Sequence, residues 1–354
     1  MVALTPPALS GDRAPRAQKV TLALLALLLA VGVVSLAVGA AGVSPWAVLQ
    51  DWLAGEAIGL RERVILLDIR LPRLATGALV GASLAVAGAV MQGLFRNPLA
   101  DPGIVGVSAG ASLGAAMVIV LGGLLPAAVL ASVGSHLLPL GAFLGGWSVT
   151  MLLYRISTRA GRTSVATMLL AGIALTALAM AVMGLLIFIA NDAQLRDLTF
   201  WNMGSLAGSS WTRLAAAAPV MVAGLMAAPF LARALNALAL GEATALHLGI
   251  RVERAKRLAI LAVAALTGAA VAVSGGIGFV GIVVPHLLRL AMGPDHRFLL
   301  PAAGLLGAAL LIGADMVART IAAPAELPIG IVTALAGGPF FLWILLRKRG
   351  LVDL

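Results

Sequence analysis

Few residues in this 354-residue chain could do chemistry. There is no cysteine, and the four histidines are dispersed, with only His286 well inside an apolar run. A lone imidazole there is expected to hydrogen-bond a neighbouring group rather than hold a metal. Asp315 is the clearest carboxylate in an apolar segment, and Arg319 follows four residues later. On a helix that spacing places both on one face, where they can pair. A proton-driven carrier needs a relay of such groups, and one carboxylate with its own partner is a poor relay. His136, Met91, Met180 and Met183 could be imagined as iron ligands, but methionine ordinarily fills irregular apolar gaps. No GxxxxGK[ST] phosphate loop, HExxH, paired-cysteine or GxSxG pattern occurs. The glycines at 275–281 have no lysine beside them and are expected to serve close helix packing. The residues therefore predict a chain that is no enzyme and draws its energy from elsewhere.

The elements that position these residues follow from composition. Hydrophobic residues make up 61% of the chain and charged ones 11%, with a mean hydropathy of +1.08. Soluble domains carry roughly 25% charged residues, so the composition excludes a soluble enzyme, a disordered chain and a disulfide-stapled domain. Runs of about 20 apolar residues can each cross a bilayer as a helix. Ten such runs are read, at about 20–41, 71–94, 103–121, 127–153, 165–190, 213–235, 257–275, 278–292, 299–319 and 329–346. An even count puts both termini on one side. With the N-terminus cytoplasmic, seventeen of the 24 Lys and Arg fall in inner segments, as the positive-inside rule requires. That asymmetry accounts for the net charge of +10 without nucleic acid. Trp46, Trp52, Trp201 and Trp211 then lie in outer segments, where amphipathic rings favour the interface. The first run is too long for a signal-peptide core and is read as a retained helix. Residues 1–19 are expected to form a cytoplasmic tail, 20–346 a single transmembrane domain, and 347–354 a second cytoplasmic tail.

Spans two to five and seven to ten form two four-helix units offset by five spans, an odd number that would invert one relative to the other, as in many transporters. In the inner loop Arg96-Asn97-Pro98-Leu99-Ala100-Asp101-Pro102, the last two residues suit an N-cap and first helical position. The outer segment 191–211 is polar and aromatic, long enough for a docking surface. The inner segment 236–257 reads as two short amphipathic turns parted from the next span by Gly249, a shape suited to lying against a partner.

The stretch IRLPRLATGALVGASLAVAGAVMQGLFRNPLADPGIVGVSAG at 69–110 resembles the permeases that import ferric siderophores, haem and vitamin B12. So do GEATALHLGI at 241–250, GGIGFVGIVVPHLLRL at 275–290, GPDHRFLLPA at 293–302 and AELPIGIVTALAGGPFFLWILL at 325–346. The resemblance implies an all-α, polytopic type II ABC importer fold with about ten transmembrane helices per subunit. It implies a homodimer in lipid in a bacterial inner membrane, two ATP-hydrolysing subunits beneath, and a periplasmic substrate-binding protein above. ATP and Mg would belong to the partner subunits, and no cofactor would be bound permanently. The segment NDAQLRDLTFWNMGSLAGSSW at 191–211 looks most like the haem-importing branch, so haem is the expected cargo, with ferric siderophores or cobalamin as alternatives. An ion-coupled secondary transporter is the alternative of another class.

By the same resemblance Arg70, Arg73 and Arg319 meet acidic residues of the binding protein, for which a guanidinium fork is suited. Leu240, Gly241, Glu242, Ala243, Thr244, Ala245, Leu246, His247, Leu248, Gly249 and Arg251 form the coupling segment that enters a groove of the ATPase. Ser164, Val165, Ala166 and Thr167 fall at the cytoplasmic gate. The vitamin B12 permease has small hydroxylated residues at that gate, and this chain has Val165 and Ala166 at its centre.

Overall fold

In hydrocarbon every peptide group must find its partner within the chain, which leaves helices as the economical solution for apolar runs like these. The computed structural model describes residues 13–39 and 42–347. The elements are α1 (Ala14–Ala37), α2 (Pro45–Leu53), α3 (Leu60–Arg63), a π-helical stretch (Val64–Arg70), α4 (Leu71–Phe95), α5 (Val107–Leu121) and α6 (Ala127–Ser157). A small hairpin of β1 (Thr158–Arg159) and β2 (Arg162–Thr163) follows, then α7 (Val165–Ile189), α8 (Asp192–Met203), α9 (Trp211–Ala227), α10 (Ala232–Ala239) and α11 (Glu242–His247). The chain continues through α12 (Val252–Ser274), α13 (Val280–Met292), α14 (His296–Thr320) and α15 (Ile329–Arg347).

Among the described residues eight helical runs are long and apolar enough to cross a membrane, and Val280–Met292 and Ile329–Ile344 are shorter apolar helices. Together they match the ten runs read from the sequence, so the protein is an all-α, multi-pass membrane protein. Local chemistry moves several boundaries. The first helix begins at Ala14, inside the stretch expected to be a tail, because Pro15 is preorganised for a first turn. Residues 1–12 and 348–354, most of the two expected tails, lie outside the described residues. The second span is preceded by helix from Leu60 onward. Asp101 does cap a helical start, accepting from Gly103 N at 2.7 Å, but the start is a 3₁₀ turn, Pro102–Val105. Gly106, at φ 74°, then redirects the chain into α5. Burial pushes the Asp101 carboxyl up, and the Gly103 amide opposes that shift. Pro139 sits inside the 31-residue α6 without ending it, as neighbours in a membrane bundle allow.

α4 is the axis of the bundle and is buried on every side from Val80 to Phe95. It packs on α13 and α14, while α12 packs in the corresponding way on α5 and α6, and α4 and α12 meet at the centre. α5 also touches α7, as α13 touches α15. This is the pairing that two inverted four-helix units would produce. Gly103-Ile104-Val105-Gly106 ahead of α5 and Gly278-Phe279-Val280-Gly281 at the start of α13 mark equivalent points in the two units.

Glycines set the approach of these helices. A Cβ on Gly81 of α4 would run into the backbone of Gly307 in α14, and one on Gly88 into Gly281 of α13. Gly110 and Gly114 of α5 face Gly145 and Gly141 of α6 in the same manner. Gly184 of α7 has nothing within 4 Å of such a Cβ. Gly81→Val is therefore expected to destabilise the detergent-solubilised protein by about 1–3 kcal/mol through overpacking. Gly184→Ala should leave stability unchanged or raise it by about 0.5–1 kcal/mol through helix propensity. Thermal unfolding of the two variants beside the wild type checks both signs.

Candidate functional site

Charge is gathered at two ends of the bundle. At the first, the C-terminal ends of α1 and α14 meet the N-terminal end of α4. Arg73 Nε and Nη2 grip the Asp315 carboxylate at 2.9–3.1 Å, and Arg73 Nη1 reaches Glu326 Oε1 at 2.8 Å. Arg319, expected to be the partner of Asp315, stands off with its Nε 3.7 Å from Oδ2. Its Nη2 instead donates to the backbone oxygen and hydroxyl of Ser35 at 2.7 Å each. The reason is geometric: a guanidinium arriving from α4 presents its fork squarely to the carboxylate, which a neighbour one turn along the same helix cannot do. Arg70 Nη1 donates to Leu36 O at 2.5 Å and Val43 O at 3.0 Å.

The three arginines expected to form an exposed rim are thus turned inward, Arg70 only 5% and Arg73 8% exposed. They tie α1, α4 and α14 together. Three guanidiniums face two carboxylates, and Arg70 Nη2 and Arg319 Nε carry hydrogen-bond capacity that no described group uses. Both oxygens of Asp315 are engaged by Arg73. The π-helical stretch directly before α4 aims Arg70, a recurrent use of such stretches.

The second end carries α10, α11 and the start of α12. Gly241, at φ 105°, and Gly249, at φ 77°, bracket α11. Ala245 is its single buried residue, packed in the core, while Leu240, Leu246 and Leu248 are 66%, 61% and 52% exposed. Ala243, Thr244, His247 and Arg251 are exposed beside them. The two short turns expected over 236–257 are thus present, the first joined to α9 through a 3₁₀ turn at Ala228–Leu231. Ser164 caps α7, its Oγ accepting from Thr167 N at 3.2 Å and Thr167 Oγ1 at 3.0 Å. Ser164, Ala166 and Thr167 are exposed and Val165 is half-buried.

Sequence reasoning missed the group that connects these two segments. Lys256, 3% exposed, donates from Nζ to Glu242 Oε2 at 2.8 Å, Glu253 Oε1 at 3.2 Å and Thr163 O at 2.9 Å. Glu253 Oε2 accepts from Thr163 N at 2.9 Å. The signal available was the Glu253/Lys256 spacing in VERAKR, read only as inner positive charge. Arg289 was likewise missed as a tie; it donates to Gln92 Oε1, whose amide turns to Gly281 O at 3.3 Å and so fixes α13 on α4. Close by, the turn into α14 is set by Asp295, which accepts from Arg297 and Asn236. The Arg297 guanidinium holds the Asp295 carboxyl down at about 2, with smaller help from the Arg297 amide and Asn236.

The candidate ligands do not converge. His286 packs edge-on against Phe340, with ring centres 6.2 Å apart. Met91 and Met183 lie in different apolar clusters, and Met180 is exposed. Among the described residues no three His, Asp or Glu gather as a metal set would.

Ten apolar helices with charge held at their ends define a multi-pass membrane permease. The match of residues 27–347 to the model of the FecCD transport family sharpens this, and the chain belongs to that family, a translocation subunit of an ABC importer. It is 49% identical over 285 residues to the hemin transport system permease protein HmuU of Yersinia pestis, covering 80% of this chain and 84% of that one. It is 46% identical over 308 residues to the cobalamin import system permease protein BtuC of Halobacterium salinarum, covering 86% and 80%. A solved structure described as an inward-facing conformation of a putative metal-chelate type ABC transporter superposes with a TM-score of 0.81 at 33% identity, covering 93% of this chain and 99% of that one.

Asp315→Asn should remove the charge that Arg73 grips and Arg319 faces and cost about 3–5 kcal/mol, as loss of one partner of a buried pair does. Arg319→Met leaves the Arg73 fork intact and is expected to cost less than half of that. Melting temperatures in detergent rank the two.

Proposed function

We propose that this chain moves haem from the periplasm to the cytoplasm, as a homodimer in a bacterial inner membrane, with two ATP-hydrolysing subunits below and a periplasmic binding protein above. The observation that carries the importer reading is α11 and its flanks. Leu246 on the helix and Leu240 and Leu248 at its two ends stand in the open at the end of a membrane protein, on a segment that contains two glycine hinges and one buried alanine. Apolar side chains presented on a short helix fit a groove on a partner, and Glu242 and Arg251 supply charge at its rim. Leu240 through Gly249, with Arg251, are accordingly assigned to ATPase coupling. The inner location of that end, with both termini cytoplasmic, follows from the distribution of Lys and Arg.

The binding protein is assigned to the opposite end. Arg70, Arg73 and Arg319 act there from just beneath the surface, their excess positive charge and unused donors suited to steering carboxylates. Ser164, Val165, Ala166 and Thr167 are assigned to the cytoplasmic gate, because they start α7 beside the coupling end. Haem as cargo is supported by the 49% identity to the Yersinia pestis permease. ATP and Mg would be held by the partner subunits.

Reconstitution in proteoliposomes with the cognate ATPase and binding protein, offered haem, a ferric siderophore and cobalamin in parallel, tests the reading. ATP-dependent accumulation of haem is expected. Accumulation of another cargo instead would reassign the substrate, and uptake without ATP would overturn the importer assignment. In the same system Leu246→Asp with Leu248→Asp should reduce copurifying ATPase at least about tenfold, as removal of interface anchors does.

A further inference from the structure

We infer that Lys256 is a positioning residue that passes the motion of the coupling helix to the gate, a role that rests on the permease assignment above. Lys256 Nζ joins three pieces of chain: Glu242 in α11 at 2.8 Å, Glu253 in its own helix at 3.2 Å, and the backbone oxygen of Thr163 in β2 at 2.9 Å. Glu253 closes the ring by accepting from Thr163 N at 2.9 Å. Thr163 immediately precedes Ser164, whose hydroxyl caps α7. The β hairpin is itself stiffened by the Thr158–Thr163 hydroxyl contact at 3.0 Å and by Ser164 N donating to Ser157 O at 3.0 Å. An unbroken series of hydrogen bonds thus leads from α11 to the first turn of α7.

The mechanics around this junction differ on its two sides. α11 is bracketed by Gly241 and Gly249, both in left-handed backbone with open space where a side chain would be. Apart from the packing of Ala245 in the core, those hinges leave it freedom to shift against the hairpin. Lys256 removes that freedom, since displacing Glu242 must either carry Thr163 along or separate charges that are partly out of water, where they are costly to part. On the far side, α7 begins at Val165, two residues after Thr163, so a shift of Thr163 acts on its first turn. A buried ammonium is a poor way to fill space, because an apolar residue of like volume often stabilises as well or better. Its value here lies in joining two mobile segments through directional bonds.

The experiment uses the complete transporter with its ATPase and binding protein, and measures ATP hydrolysis and uptake in the same vesicles, with haem, a ferric siderophore and cobalamin offered in parallel. Lys256→Met is expected to keep hydrolysis within about twofold and lower uptake at least about tenfold, the scale of a coupling free energy between sites. Lys256→Arg should restore at least about half of the uptake, since it keeps charge and donors. Glu253→Gln should shift the ratio in the same direction by a smaller factor, and carries the test if Lys256→Met does not assemble. Spin labels at Ala243 and Arg159 provide a second reading. Their separation should stay fixed between nucleotide-free and nucleotide-trapped wild type and change in Lys256→Met. Equal losses of hydrolysis and uptake, or an unaltered ratio, with a label separation that behaves as in the wild type, would overturn the role of Lys256. Wild-type vesicles that take up none of the three cargoes with ATP would instead overturn the permease assignment.

Discussion

Within a bilayer, apolar side chains gain nothing by leaving lipid for one another, so helices hold together through close packing and a few polar ties. This constraint decides where the backbone of this protein can approach itself. Gly81 against Gly307, Gly88 against Gly281, and Gly110 and Gly114 against Gly145 and Gly141 are the crossings at which helices come nearest. A glycine inside a helix costs about 1 kcal/mol relative to alanine, and here the cost is offset by the contact that a Cβ would forbid. The crossings fix α14 and α13 on α4. That placement in turn brings Arg73 of α4 opposite Asp315 of α14 and Gln92 opposite Arg289 of α13. The ionic ties thus lie on helix pairs that the glycine contacts also bring together.

The same solvent explains why charge is found at the ends. An ionised group near the middle of the bilayer is expensive, and the two buried ionic clusters of this chain differ in character. In the Asp315 cluster the Arg73 and Asp315 side chains are both buried, 10% and 5% exposed, and the fork is bidentate. In the Lys256 cluster the ammonium is buried but its carboxylates, Glu242 and Glu253, are 40% and 37% exposed. The first is a clamp joining helices of the scaffold. The second joins a short helix set between glycines to a hairpin, through carboxylates that stay half-exposed.

Much of this was legible in the sequence because the bilayer reduces the question of fold to the length of apolar runs. The ten runs, the broken helix at 236–257 with its Gly249 boundary, and the cap at Asp101 all rest on local chemistry that a short window contains. Partners distant in sequence were not legible. Asp315 has an arginine one turn away, at 3.7 Å, and another 242 residues away that grips it more closely, and spacing alone shows only the first. Arg70 and Arg73 read as outer loop charges because the helix from Leu60 to Arg70 extends the second span beyond its apolar core, burying residues that hydropathy places at the edge. Lys256 was counted among inner positive charges for the opposite reason: its surroundings are polar in sequence, and only the folding of β2 and α11 over it encloses the side chain.

The inverted pairing of the two units also bears on how such a bundle could alternate between states. α4 and α12 meet at the centre and each is clasped by two helices of the other unit, so the middle of the molecule resists shear. Outside that central crossing lie α7, attached through α5 and α6, and α15, attached through α13 and α14. These two helices occupy equivalent places in the two units. A two-state rearrangement of packed helices needs a fixed part and a moving part that meet along a surface able to slide. The glycine crossings supply the fixed part. α7 and α15 are the movable candidates, and of the two only α7 begins beside the ionic junction that α11 can pull.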